Sequence, residues 1–354
     1  CEKTDSIRER CKAAAVKQSG NEFFLEGWLM NILVTGGAGF IGSHFIRYML
    51  ERHDGKIVNM DALTYAGNQK NLQAVDSQPN YSFVKGNIRD KKLVQQVILK
   101  EKIDVIVNFA AETHVDASID DPCLFVCTNV LGTQTLLEAA KDGGIQKFVQ
   151  ISTDEVYGSL GKEGLFSEES PLKPNSPYSA SKAAADLLVR AYFKTFGLNV
   201  NISRSSNNYG PFQFPEKLIP LMITNALEGK NLPIYGTGDN VRDWIHVKDH
   251  CAAIECILHN GKPGEVYNVG SSNERTNNEI VQMIAAELNI PPERIVHVQD
   301  RPGHDFRYAL NAEKLKNELG WRPSYSLGQG LKETIQWYVE NESWWKPLKA
   351  VTKL

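Results

Sequence analysis

Seven residues, Gly36-Gly37-Ala38-Gly39-Phe40-Ile41-Gly42, restrict the fold of this chain more than any other stretch. Before them, residues 31 to 36 read as a buried strand; after them, an amphipathic helix runs to about His53. Gly36, Gly39 and Gly42 let the backbone turn tightly and approach a pyrophosphate at a helix N-terminus. A glycine run alone is weak evidence. This one is followed by a second strand, Lys56 to Met60, that ends in Asp61. The Asp61 carboxylate can accept hydrogen bonds from an adenosine ribose and would repel a 2′-phosphate, which favours NAD over NADP.

The alternation continues. Strands are predicted at Tyr81 to Lys85, Ile103 to Phe109, Lys147 to Ser152 and Asn199 to Ser203. Between them lie helices at Asp90 to Glu101, Asn129 to Lys141 (part of a longer one) and Tyr178 to Thr195. Strand and helix in turn give an α/β, Rossmann-type doubly wound and mainly parallel sheet. Ligands bind such sheets beyond the strands' carboxyl ends. The glycine run, Asp61, Ala110-Ala111 and Thr153 should therefore line one edge. After Asn207 the pattern loosens around Pro211, Pro215, Pro220 and Pro233. A helix is expected over Glu216 to Glu228 and a strand over Leu232 to Tyr235. Lys248 to His259 and Glu265 to Gly270 read as a helix and strand that return to the first domain. Helices at Thr276 to Leu288, Ala312 to Leu319 and Leu327 to Glu342 complete a smaller α/β unit. The expected division is a dinucleotide domain over 30–206, with return segments near 245–270, and a mainly substrate-binding domain over 207–354. Residues 1–29 read as an extension, with a short helix across Ser6 to Gln18; Met30 looks like a natural start.

A formal net charge of -3 gives no electrostatic case for nucleic acid or an anionic membrane. No apolar run reaches the roughly 18 residues that would span a bilayer. Six cysteines are too few for a disulfide framework in 354 residues, so free thiols and a reducing cytoplasm are expected. Cys123 and Cys127 are spaced as helix neighbours with no histidine close in sequence, so no metal is expected.

The chemistry concentrates in Ile151-Ser152-Thr153-Asp154-Glu155-Val156-Tyr157-Gly158 and Tyr178-Ser179-Ala180-Ser181-Lys182. Tyr178 and Lys182 share a helix face, and a lysine beside a phenol favours phenolate. A phenolate can take a proton from a sugar hydroxyl while hydride leaves the same carbon. Asp154 and Glu155 add an acid and base pair that a plain dehydrogenase does not need. Burial beside Glu155 should raise the Asp154 pKa.

These residues resemble the extended short-chain dehydrogenase/reductase superfamily, and within it the dTDP-glucose 4,6-dehydratases. The finer resemblance rests on Asp61-Ala62-Leu63-Thr64-Tyr65-Ala66-Gly67-Asn68, Ala110-Ala111-Glu112-Thr113-His114-Val115-Asp116 and Ser152-Thr153-Asp154-Glu155-Val156-Tyr157-Gly158. It also rests on Asn207-Asn208-Tyr209-Gly210-Pro211, Phe214-Pro215-Glu216-Lys217-Leu218-Ile219-Pro220, Arg242-Asp243-Trp244 and Arg301-Pro302-Gly303-His304-Asp305. It spans about residues 31 to 340. It implies NAD as cofactor, dTDP-glucose as substrate, and a homodimer formed through two helices of the first domain. The implied reaction is loss of water from C6, giving a 4-keto-6-deoxy sugar nucleotide. Tyr178 would then be the base at the C4 hydroxyl, with Lys182 on the nicotinamide ribose and Thr153 near the C4 oxygen. Glu155 would remove the C5 proton and Asp154 protonate the departing C6 hydroxyl.

The implied cofactor set is Gly36, Gly39, Phe40, Ile41, Gly42, Asp61, Asn87, Ile88, Ala110, Ala111 and Thr113, with Tyr178 and Lys182. The implied substrate set is His114, Thr153, Asn207, Lys217, Leu218, Tyr235, Arg242, Asn277, Arg301 and His304, the arginines as diphosphate clamps. Asn87 stands where the family usually has Asp, which is expected to change cofactor affinity at most. Phe306 stands where a charged residue is common and has no mechanistic reading. Two rivals remain: a sugar-nucleotide epimerase or decarboxylase, which does not need both carboxylates, and an NAD-sensing regulator, a class that often loses the tyrosine.

Overall fold

A computed structural model describes residues 30–351; the expected extension and its helix lie outside them. In chain order the strands are β1 (Ile32–Thr35), β2 (Ile57–Asp61), β3 (Tyr81–Lys85), β4 (Val105–Asn108), β5 (Lys147–Thr153) and β6 (Val200–Ser205). They continue with β7 (Asn207–Tyr209), β8 (Leu232–Tyr235), β9 (Val241–His246), β10 (Val266–Val269), β11 (Glu274–Thr276) and β12 (Ile295–Val298). Seven strands form one parallel sheet in the order β10-β6-β5-β4-β1-β2-β3. A parallel sheet must be covered on both faces, and every residue of β1, β2 and β4 is buried. One face packs on Phe45, Met49, Ile254 and Ile257, from helices Phe40–Leu50 and Val247–Asn260. The other packs on Leu136, Leu137, Val189 and Tyr192, from helices Pro122–Asp142 and Pro177–Phe196. β1 pairs with β2 on one side and β4 on the other, so the winding reverses there and opens a crevice at the strands' carboxyl ends.

The second half adds a three-stranded sheet, β11-β9-β7, and a parallel pair, β12-β8. A third core joins Ile219, Met222, Ile223, Ile280, Ile284, Tyr338 and Trp345. β10 crosses back to the edge of the large sheet beside β6. The segment after His304 bridges Leu160, Phe166 and Val241 through Arg307 and Leu310.

Several elements differ from the sequence reading. β9 was not expected, because Arg242 and Asp243 interrupt its apolar alternation; both are buried and bonded to neighbouring loops. The helix expected over Leu327 to Glu342 ends at Glu340, because Asn341 leaves helical geometry at φ -119° and ψ 42°, and a further helix that was not expected, Glu342–Val351, follows it. Helix Pro122–Asp142 is long and apolar enough to cross a membrane, contrary to expectation, yet its Phe125, Leu136 and Leu137 belong to the packed interior. Its middle, Val126–Gly132, widens to a π-helical turn.

Two histidines are sealed between these layers. The His246 ring stacks on Tyr325 at 3.9 Å, and His250 lies 2.9 Å from the Asn208 side-chain oxygen. Burial lowers the pKa of each to about 3. An unfolded histidine takes a proton at about pH 6.5, so stability is full above that pH and is lost as pH falls toward 3. Replacing His246 with Phe keeps the stacking and removes the proton site. The unfolding free energy of His246→Phe should then fall less steeply than wild type between about pH 6.5 and 4.5. Equal slopes in denaturant titrations would contradict this.

Candidate active site

The crevice holds a cavity of about 320 Å³ that runs from the glycine loop past the ends of β2, β4 and β5 to β7. Gly36 sits at φ +69°, where a Cβ would stand 2.6 Å from the Ala110 nitrogen. At Gly42 a Cβ would stand 2.5 Å from the Gly36 carbonyl oxygen. Helix Phe40–Leu50 starts at Gly39 without a side-chain cap, leaving its first amides aimed outward. Asp61 accepts from the Ala38 amide at 2.9 Å and the Leu63 amide at 2.8 Å. Burial raises the Asp61 pKa, and these two amides oppose that rise. Asn87 accepts from the Arg89 amide at 2.9 Å, so its carbonyl oxygen builds the turn and its NH2 group remains as a donor. The bare cradle, the helix N-terminus and the acid beyond them fit a dinucleotide.

At the other end, β5 delivers Thr153, Asp154 and Glu155 into a short 3-10 turn. The Thr153 hydroxyl accepts from the Glu155 amide at 3.3 Å and donates to Asp154 Oδ1 at 3.2 Å. Asp154 is 2% exposed and its Oδ2 has no hydrogen-bond partner. Burial, then the Glu155 charge, hold its carboxyl well above the usual carboxylate range. Burial also raises Glu155, but Arg301, Arg242 and Lys217 pull it back. The pair is thus tuned apart, with Asp154 favoured as the acid and Glu155 as the base.

Ser176 caps helix Pro177–Phe196 through a capping box with Ser179, and Pro177 starts it. That places Tyr178 in the first turn and Lys182 one turn later. The largest influences on the phenol are burial and the Glu155 charge. Lys182 Nζ donates to the Ile151 carbonyl at 2.6 Å, while burial and the Glu155 charge push Tyr178 well above its ordinary value. Burial lowers Lys182 itself to about 8.

The cavity brings together Gly36, Gly39, Phe40, Ile41, Gly42, Asp61, Asn87, Ile88, Ala110, Ala111, Thr113, Thr153, Asp154, Glu155, Tyr178, Lys182, Asn207 and Lys217. Asn207 Oδ1 is buried without a partner, and Lys217 Nζ donates to the Thr113 carbonyl at 2.9 Å. His114, Leu218, Tyr235, Arg242, Asn277, Arg301 and His304 are not in its lining. His114 caps a short helix by accepting from the Ala117 amide at 3.0 Å and lies 3.6 Å from Glu216. Leu218 packs on the third core, and the Asn277 amide donates to the Asn240 carbonyl. The buried Arg242 donates to the carbonyls of Asp305 at 2.9 Å and Phe306 at 3.3 Å, behind the acids. Arg301 pairs with Asp116 at 3.4 Å. His304 lies 2.7 Å from Asp300 and edge-on to Tyr235.

Asn129 was missed by sequence reasoning. From the π turn it accepts from the Glu112 amide at 2.8 Å, donates to the Glu112 carbonyl at 3.0 Å, and donates to Ser181 Oγ at 2.8 Å. It joins the loop after β4 to the helix that carries Tyr178. A lone Asn in an apolar helix gives no signal of this; the widened turn that aims it does.

A family model described as GDP-mannose 4,6 dehydratase matches residues 33–334. A dTDP-glucose 4,6-dehydratase of Streptomyces niveus is 50% identical over 326 residues, covering 91% of this chain and 96% of that protein. The crystal structure of a dTDP-glucose 4,6-dehydratase from Bacillus anthracis in complex with NAD superposes with TM-score 0.85 at 58% identity, covering 90% of this chain and 99% of that one. A further dTDP-glucose 4,6-dehydratase structure, from Streptomyces venezuelae with NAD bound, gives TM-score 0.88 at 50% identity, covering 90% and 100%.

The Asn129→Ala substitution leaves the Glu112 backbone and Ser181 without these partners. It should lower stability by about 1–3 kcal/mol, measured by denaturant unfolding; no change would show that water replaces the side chain at no cost.

Proposed function

The chain belongs to the dTDP-glucose 4,6-dehydratase family, and from that premise we propose that it dehydrates dTDP-glucose to dTDP-4-keto-6-deoxyglucose, with NAD as its cofactor. The observation that carries this reading is the enclosed Asp154–Glu155 pair beside Tyr178, with its two carboxyls tuned apart. Epimerisation needs no second acid and base at this point, and a sensor needs none of the three.

Gly36, Gly39, Gly42 and Asp61 would hold NAD, which supplies a hydride acceptor and later a donor. The order of proton steps follows from elementary chemistry. Water cannot leave from an unactivated C5–C6 bond. Tyr178 would take the C4 hydroxyl proton as the phenolate, a form that the positive charge of bound NAD would favour against the burial that holds the phenol neutral, and the ketone formed at C4 acidifies the C5 proton. Glu155, kept closer to ionisation by three cations, removes that proton. Asp154, pushed toward its neutral form by burial and the Glu155 charge, gives its proton to the departing C6 hydroxyl. Glu155, now protonated and in exchange with solvent, would then give a proton back to C5 as C6 takes up the hydride that the cofactor would supply. General acid–base steps of this kind contribute about 100- to 10,000-fold each. Thr153 orients Asp154 and has its hydroxyl at the cavity wall. Arg301 and Arg242 serve the substrate diphosphate or the Glu155 charge, and Lys217, Leu218, Tyr235, Asn277 and His304 form the nucleoside side.

The division into a dinucleotide domain over 30–206 with return segments and a substrate domain over 207–354 is supported by the third core, except that Leu315, Leu319 and Trp321 pack into the first core, against the expected place of their helix in the smaller unit. A homodimer through helices Pro122–Asp142 and Pro177–Phe196 accords with Leu131 and Leu187 being 52% and 56% exposed on them. The four free thiols among the described residues suit a cytoplasmic enzyme.

Incubation with dTDP-glucose in deuterium oxide, followed by mass spectrometry, should give loss of one water with one solvent deuteron kept at C5. UDP-glucose epimerisation or UDP-glucuronate decarboxylation in its place would overturn the reading. Leu131→Glu should convert the dimer to a monomer in sedimentation velocity; an unchanged sedimentation coefficient would place the interface elsewhere.

A further inference from the structure

We propose that Trp344 and Asn71 latch the dinucleotide loop to the C-terminal helix and so retain the cofactor between turnovers. The inference rests on the reading above, in which hydride returns within one active site and cofactor release gains nothing.

Ala38 sits in the middle of the glycine run. Its amide donates to Asp61, and its carbonyl accepts from the Asn68 amide at 3.0 Å and from Asn71 Nδ2 at 2.9 Å. Asn71 is 2% exposed, and its Oδ1 accepts from Trp344 Nε1 at 2.9 Å. An indole N–H can only donate and a backbone carbonyl can only accept, so both ends of the Asn71 amide are fixed in one orientation. Trp344 reaches this contact from 273 residues away in sequence. It is 8% exposed, and with Asn71 and Leu348 it lines the same cavity as the glycine loop.

The far end of the latch is anchored. The Trp344 ring meets Phe212 and Trp337 edge-on, with centroids 5.6 Å and 5.1 Å away. One turn on, Lys349 donates to Thr224, Asn225 and Glu228 on and after helix Leu218–Leu227. The conformation of the pyrophosphate loop is thereby tied to the second half of the chain. Moving the loop away from a bound dinucleotide requires breaking a buried hydrogen bond to the C-terminal helix.

The test measures the rate at which prebound, labelled NAD leaves the full-length protein after dilution into unlabelled NAD. Trp344→Phe keeps the ring packing and removes the N–H. It should release NAD about fivefold faster, the effect of one buried hydrogen bond. Asn71→Ala, which removes the Ala38 contact as well, should release NAD at least as fast, and the double variant should be no faster than Asn71→Ala, since that substitution already removes the Trp344 contact. Trp345→Phe is the control. Trp345 donates to the Tyr338 carbonyl at 2.8 Å from the same helix, and its loss disturbs packing without touching the loop. NAD release should be unchanged there. A wild-type rate for Trp344→Phe, effects that multiply in the double variant, or equal acceleration by Trp345→Phe would overturn the latch. Faster NAD release from Trp344→Phe in a protein that does not dehydrate the sugar would leave the latch standing and remove the function. A dehydratase whose Trp344→Phe form releases NAD at the wild-type rate would do the reverse.

Discussion

The enclosure of two adjacent carboxylates at the end of β5 is the constraint on which the site depends. Burying an isolated charge is too costly to sustain, so such a group either neutralises or finds cations. Here both happen. Asp154, with one oxygen unpartnered, moves toward the neutral acid, while Glu155 draws on Arg301, Arg242 and Lys217. The carboxylates come from the first half of the chain and all three cations from the second. Arg242 also binds the Asp305 and Phe306 carbonyls, so the segment under the acids is held by the same side chain that tempers their charge. The docking of the two halves and the division of acid from base are therefore one arrangement.

The dinucleotide end has a parallel logic. Asp61 is commonly read as a ribose partner, but it also bonds the Ala38 and Leu63 amides and so shapes the loop. With Asn71 on the Ala38 carbonyl, both polar groups of that residue are satisfied inside the protein. The shape of the loop is thus held by the protein's own hydrogen bonds. Preorganisation of this kind suits a cofactor that is used twice in each cycle.

Much of this was legible in the sequence, for physical reasons. β1, β2, β4 and β5 are read correctly because strands covered on both faces are nearly continuous apolar runs. The glycine run and Asp61 are legible because close backbone approach and a strand-end acid leave few alternatives. β9 was not legible, since its buried charges are satisfied by distant loops that local patterning does not encode. Asn129 and Trp344 were hidden for the same reason: each acts through partners far away in the chain. Tyr178 shows the limit of spacing arguments. Four residues put Lys182 on its helix face, but the lysine's proton goes to the Ile151 carbonyl, and Glu155 has the stronger say over the phenol.

The central claim is that burial and the Glu155 charge hold Asp154 well above the usual carboxylate range, toward the neutral acid, while three cations oppose the rise of its neighbour. Infrared difference spectra between wild type and Asp154→Asn test it most directly. A protonated-carboxyl carbonyl band at pH 7 that disappears in the variant is the result this account predicts. A difference spectrum containing only ionised-carboxylate bands would contradict it, and would leave the departing hydroxyl without its acid.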